Sequence, residues 1–233
     1  ALATSSALVA LRSGVKLRRE LGGVDLFVNN AATMGESRSQ TMTVNLLATC
    51  AFALAAALPG GSRPIALVNV GSSSHLRAPA VADLAVLDDA HRDRDLSAYG
   101  QSKMCLMHCS RVFAAAGVAC VDVHPGLVWT NMLRRNVPGA PLLDDHPRWR
   151  RRLFKDPDDA ARTVLVAVDA ALQARNEQKA SPQLYVVGAG LSRLRASPES
   201  RDPAGIRHTW HAVVGPPLDR AIADDALLFD DLG

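Results

Sequence analysis

Tyr99 and Lys103 stand four residues apart in a stretch with helical apolar spacing, so their side chains project from one face. A phenol, with a pKa near ~10, is a poor acid–base group at neutral pH, but a neighbouring ammonium and the positive end of a helix both favour the phenolate. Such a pair could move a proton to or from an oxygen. Ser72 directly follows an aliphatic run at residues 65–70, and its hydroxyl suits donation to a substrate oxygen that gains charge during reaction. The three side chains together would serve proton transfer at an alcohol or carbonyl oxygen. Tyr-x-x-x-Lys alone is carried by many solvated helices, so its weight depends on what accompanies it.

The elements that must position these residues are legible as an alternation. Ser5 and Ser6 are candidate caps for a helix with Leu8, Leu11, Val15 and Leu21 along one side, ended by Gly22 and Gly23. Strands are predicted at residues 24–28, 65–70, 118–123 and 183–187, and helices at 41–58, 98–116 and onward from Asp156-Pro157. Strands alternating with helices of this length specify an α/β fold, a doubly wound parallel sheet of Rossmann-like type, in a single domain over 1–233. Ligands of an open sheet bind beyond the C-terminal ends of its strands. The segments there are Asn29-Asn30-Ala31-Ala32, Gly71-Ser72-Ser73-Ser74 and Pro125-Gly126-Leu127-Val128-Trp129-Thr130, with Tyr99-Gly100-Gln101-Ser102-Lys103 opening a helix. Residues 131–155, rich in Pro, Arg and Asp and without a clear period, exceed an ordinary connection and read as a mobile cover on the substrate side.

In that order, Asn-Asn-Ala after a strand, Ser at a strand end, Tyr-x-x-x-Lys opening a helix and Pro-Gly-x-Val-x-Thr after the next strand resemble the short-chain dehydrogenase/reductase family. The resemblance runs from about Ala1 to Val187. It implies Tyr99 as general acid–base, Lys103 as ribose contact and modulator of the tyrosine, and Ser72 as the group orienting the substrate oxygen. It further implies Asn45 as anchor of a proton-relay water, although a buried helical Asn also serves as a satisfied core residue. Cofactor contacts of NAD or NADP are implied for Asn29 and Ala31 near the adenosine ribose, for Pro125, Gly126 and Val128 around the nicotinamide, and for Thr130 near the phosphates. Ala32 and Gly71 depart mildly from the family pattern. A larger departure is that no Gly-x-x-x-Gly-x-Gly turn precedes Asn29, as if the first two βα units were absent. Val70 to His75, Val123-His124-Pro125-Gly126, Leu184-Tyr185 and Trp210 resemble a retinol-dehydrogenase-like branch. Homodimers are implied through the helices at 41–58 and 98–116, where Met104, Cys105 and Met107 would suit the contact.

Bulk properties narrow the alternatives. A formal charge of +3 over 233 residues, from 26 basic and 23 acidic side chains, is too balanced for nucleic acid as the main partner. Arg148, Arg150, Arg151 and Arg152 with Trp149 form a local basic patch, and the expectation remains a solvated face. The apolar run at residues 46–58 is too short to span a bilayer, and no leader-like segment opens the sequence, so a cytoplasmic setting is expected. Cys50, Cys105, Cys109 and Cys120 are expected as free buried thiols, and no metal is expected, since Cys105, His108 and Cys109 lack paired ligand spacing. His75, His108 and His124 are expected to be structural. Two functions follow: hydride transfer between NAD or NADP and the alcohol or carbonyl of a small hydrophobic substrate, or an inactive homologue kept as a binding module.

Overall fold

Short aliphatic stretches flanked by turn residues form the sheet in a computed structural model, which describes residues 2–57, 65–78, 97–177, 184–187 and 202–223. Its strands are β1 (Leu26–Asn29), β2 (Ala66–Val70), β3 (Ala119–His124) and β4 (Leu184–Val187), all parallel and neighbours in chain order. The fold is a Rossmann-like α/β fold with a parallel sheet. β1 begins two residues later than the predicted 24–28 and ends one residue later, which places Asn29 inside the strand. Every residue of β2 and β3 is buried, as befits strands covered on both faces.

Alternation along β2 and β3 divides the interior in two. Ala66, Val68, Val70, Val121 and Val123 point to one face, where Ala167 and Ala171 of helix α7 (Pro157–Asn176) seal them. Leu67 and Cys120 point to the other, a larger core shared by α1 (Leu2–Leu21), α3 (Thr49–Ala57) and α4 (Ser97–Ala115). The first helix starts at Leu2, so Ser5 and Ser6 lie inside it rather than capping it, and Leu21 is exposed. The helix predicted at 41–58 starts earlier, at α2 (Arg38–Met42), where Ser37 caps by accepting from the Gln40 amide. It passes through a π-helical stretch, Thr43–Ala48, before α3. Such wide turns are uncommon and often accompany functional sites.

Residues 131–155 are not a loop: α5 (Asn131–Asn136), a 3-10 turn at Ala140–Leu143 and α6 (Pro147–Leu153) fill most of the segment. Their brevity hid them from periodicity, since one or two turns offer too few apolar repeats to register. Beyond β4, α8 (Pro203–His208), a second π-helical stretch at Thr209–Val214 and α9 (Gly215–Ala223) fold back onto α1 and α4. Val213, Val214, Leu218 and Ala221 join the larger core, and Trp210 meets Phe113 edge-on at 5.9 Å. Met104, Cys105 and Met107 are consequently buried within the chain, and Thr209 from the returning segment hydrogen-bonds the Cys105 thiol and His108. Met104, Cys105 and Met107 therefore lie inside this chain rather than on a face open to a second copy.

Candidate active site

Ser72 leaves β2 in extended conformation and caps the short 3-10 turn Ser73–Arg77, its Oγ accepting from the Ser74 amide. Tyr99 lies in the first turn of α4, and its hydroxyl is hydrogen-bonded to the Ser72 side chain. Lys103, one turn on, is buried; its Nζ donates to the Val70 carbonyl at 2.9 Å and lies 5.7 Å from the Tyr99 ring centre. These three predicted residues therefore meet at the C-terminal end of β2. Gly100 makes the approach feasible, because a Cβ there would stand 2.8 Å from the Ser74 carbonyl oxygen. That glycine carries no recognisable chemistry, and only the packing of helix against turn reveals its role.

Electrostatics here differ from the sequence expectation. Burial pushes the Tyr99 phenol above its ordinary value, with the Ser72 hydrogen bond opposing only in part. Lys103 is lowered to about 8 because its ammonium is taken out of water. Desolvation outweighs the favourable charge pairing that sequence spacing suggested, since the lysine is turned to a backbone carbonyl.

Asn45 is fully buried in the π-helical stretch and completely engaged. Its Oδ1 accepts from the Thr33 amide at 2.7 Å, while Nδ2 donates to the Thr33 carbonyl at 2.9 Å and to Ser102 Oγ at 3.0 Å. Ser102 in turn donates to the Tyr99 carbonyl at 2.8 Å. Asn45 thus ties the loop after β1 to the helix turn bearing Tyr99.

The remaining predicted residues divide. Asn29 has both polar ends committed inside the sheet: Nδ2 donates to Asn69 Oδ1 at 3.0 Å and Oδ1 accepts from Thr49 at 3.2 Å. Asn69 continues to Ser110, and Ser110 donates to Asp122 Oδ1 at 2.7 Å. Because Asn29, Asn69 and Asp122 share one register across β1, β2 and β3, their side chains make a single polar row under α4. Ala31 is exposed beyond β1, and Pro125, Gly126 and Val128 are half-buried beyond β3. Gly126 takes φ +100, which suits glycine. Thr130 caps α5, its Oγ1 accepting from the Leu133 amide at 3.3 Å.

Two histidines border the cluster. His75, buried, donates from Nδ1 to the Ser72 carbonyl at 2.6 Å, since a carbonyl can only accept. His124, buried at the end of β3, is lowered to about 4 by burial, His75 and Lys155 in that order. All four cysteines are free and buried. Among the described residues no group of three metal-ligating side chains converges, and no helix is long and apolar enough to cross a membrane.

No protein-family model matches the sequence, and no curated protein matches it. Solved structures do share its architecture. A 3-oxoacyl-[acyl-carrier protein] reductase from Brucella melitensis in complex with NAD aligns with TM-score 0.51 and 18% identity, over 82% of this chain and 76% of its own. A 3-oxoacyl (acyl-carrier-protein) reductase from Agrobacterium tumefaciens C58 with NADP bound aligns with TM-score 0.51 and 20% identity, over 77% and 69% respectively. The 3-alpha-hydroxysteroid dehydrogenase from Pseudomonas sp. B-0831 complexed with NADH aligns with TM-score 0.51 and 22% identity, over 78% of each chain. At these identities the likeness is one of fold, a Rossmann-like α/β arrangement around a parallel sheet.

Proposed function

We propose that this chain is a short-chain dehydrogenase/reductase-type oxidoreductase that interconverts an alcohol and a carbonyl on a small hydrophobic substrate with NAD or NADP. The observation that carries the reading is the Tyr99 hydroxyl held against Ser72 over the buried Lys103, at the C-terminal edge of a parallel sheet. A nicotinamide group, when bound, accepts or supplies the hydride. Among the described residues Lys103 has one acceptor, the Val70 carbonyl, leaving ammonium protons for ribose hydroxyls, while Tyr99 and Ser72 stand beside it. These residues fit the nicotinamide half of the cofactor. Asn29 has its side chain committed to the sheet, so its contribution to the adenosine side would come from backbone, together with Ala31.

The chain's own residues then divide the proton work. Ser72 donates to the substrate oxygen and fixes it beside Tyr99. Tyr99 gives or takes the proton on that oxygen, and Lys103 stabilises the phenolate side of the exchange. Asn45 holds the Tyr99 turn through Ser102. Pairing of two copies, if it occurs, uses a surface other than Met104, Cys105 and Met107. Residues 2–21 form a helix and supply no glycine-rich turn, so pyrophosphate contacts from that segment are not part of the reading.

The test measures NADH or NADPH oxidation with a panel of aliphatic and cyclic ketones and aldehydes. Tyr99→Phe should abolish turnover and leave nicotinamide affinity nearly unchanged, while Lys103→Ala should damage both. Equal turnover by wild type and Tyr99→Phe across pH would remove Tyr99 from the acid–base role. Nicotinamide binding without turnover in the wild type would instead favour a binding module.

A further inference from the structure

Lys155 enters the site from a direction that no motif indicated. Its amide donates to the Leu127 carbonyl at 2.8 Å and its carbonyl accepts from the Trp129 amide at 2.9 Å, a bridge that pins it beside Val128. The side chain lies back over Gly126: a Cβ built there would come within 3.1 Å of Cε, 3.2 Å of Cδ and 3.4 Å of Nζ. Trp129 and Phe154, with ring centres 5.1 Å apart, brace this bridge on the outside. A lysine laid on backbone in a half-buried position gives up rotamer freedom and hydration, which a paired anion would offset.

None of the ion pairs among the described residues involves Lys155. Asp156, the next residue, begins α7 without a side-chain capping bond and does not pair with it. Among the described residues its other titratable neighbours are histidines: His124, whose buried Nδ1 has no hydrogen-bond partner there, and beyond it His75, bonded to Ser72. A positive group is therefore held, half-buried, at the mouth of the site with no negative charge paired to it among the described residues, where an anion would be drawn in.

We propose that Lys155 is a further binding residue of this site, receiving an oxyanion, a phosphate or a carboxylate, over Gly126 at the end of β3. The inference rests on the oxidoreductase reading in placing a ligand there, and two sources fit the chemistry: a phosphate of the nicotinamide half of the cofactor, or a carboxylate on the substrate. Arginine serves almost everywhere else in this chain, whose only lysines are Lys16, Lys103, Lys155 and Lys179. Labelling lysine Cε with a magnetic isotope thus gives a resolvable set of resonances, with Lys155 and Lys103 assigned from Lys155→Arg and Lys103→Arg.

Nicotinamide mononucleotide, inorganic phosphate and acetate are titrated in turn. The Lys155 resonance should shift saturably, and Lys155→Met should weaken the effective probe about tenfold while Lys155→Arg keeps most of the affinity. A response to the mononucleotide and phosphate but not acetate supports the cofactor phosphate; a response to acetate alone supports a substrate carboxylate. A Lys155 resonance that none of the probes moves, with unaltered mononucleotide affinity in Lys155→Met, would overturn the proposal and leave the lysine a packing residue over Gly126. In that case a Lys103 response to the mononucleotide keeps the oxidoreductase reading intact. A Lys155 response to acetate or phosphate with Lys103 silent to the mononucleotide would uphold the anion site and count against that reading.

Discussion

Asp122 lies in the middle of β3 with its carboxyl out of water, and burial pushes it up to about 7 although Ser110, Arg111 and Asn69 oppose the shift. A carboxyl raised on folding favours the folded state below its ordinary pKa, and that contribution is lost as pH rises through about 7. His124 runs the other way: lowered to about 4, its contribution is present above its ordinary pKa and lost as pH falls. The two slopes offset each other between roughly pH 4 and 6 in the wild type. Urea unfolding of Asp122→Asn should therefore show stability rising with pH over that range, and His124→Gln the reverse, each by a few kcal/mol at most. Parallel profiles in the two variants would show that neither group titrates as its burial requires. Gly100→Ala makes a second residue-scale prediction. The added methyl displaces the Ser72–Ser74 turn from α4, and a shift of that kind between Tyr99 and Ser72 should lower kcat on the order of a hundredfold with little loss of stability. Activity within twofold of wild type would mean the turn relaxes without parting the two hydroxyls.

The returning C-terminal segment carries the next prediction, because α8 and the π-helical stretch Thr209–Val214 cover surface of α4 that would otherwise be exposed, while α9 packs on α1. Trp210→Ala removes the edge contact with Phe113 and should cost about 2 kcal/mol, a half-buried share of a full tryptophan deletion, read from the denaturation midpoint. Ending the chain before Pro203 should uncover Met104 and Cys105 and produce self-association, seen by light scattering. A truncated chain that stays monomeric and fully folded would show that α4 does not depend on that cover. The short helices of 131–155 belong to this scale as well. Exchange of the segment for that of a structural neighbour should alter substrate preference and spare nicotinamide binding.

Both cores are joined through β2 and β3, whose alternate residues face opposite layers, and a molecule built this way should unfold as one unit. Leu67→Ala on the α4 side and Val121→Ala on the α7 side should each shift a single transition, by about 2 to 4 kcal/mol, with intrinsic fluorescence and far-ultraviolet signals coinciding. Separated transitions would divide 1–233 into more than one cooperative unit. β1 pairs only with β2 among the described residues, which leaves its outer backbone groups as a template for further pairing.

Much of this was legible in the chain because its signals are local. Aliphatic runs between glycines and prolines marked β2 and β3 to within a residue, helical spacing marked α4 and α7, and Tyr99, Ser72 and Lys103 announced themselves by chemistry and order. The tertiary structure alone decided what depends on distant partners. Gly100 matters because Ser74 passes above it, Lys155 because a bridge to Val128 lays it on Gly126, and Cys105 because Thr209 of the returning segment packs against it. The direction of the Tyr99 shift also came from packing, since desolvation depends on every surrounding atom whereas sequence spacing reports only the neighbours along one helix.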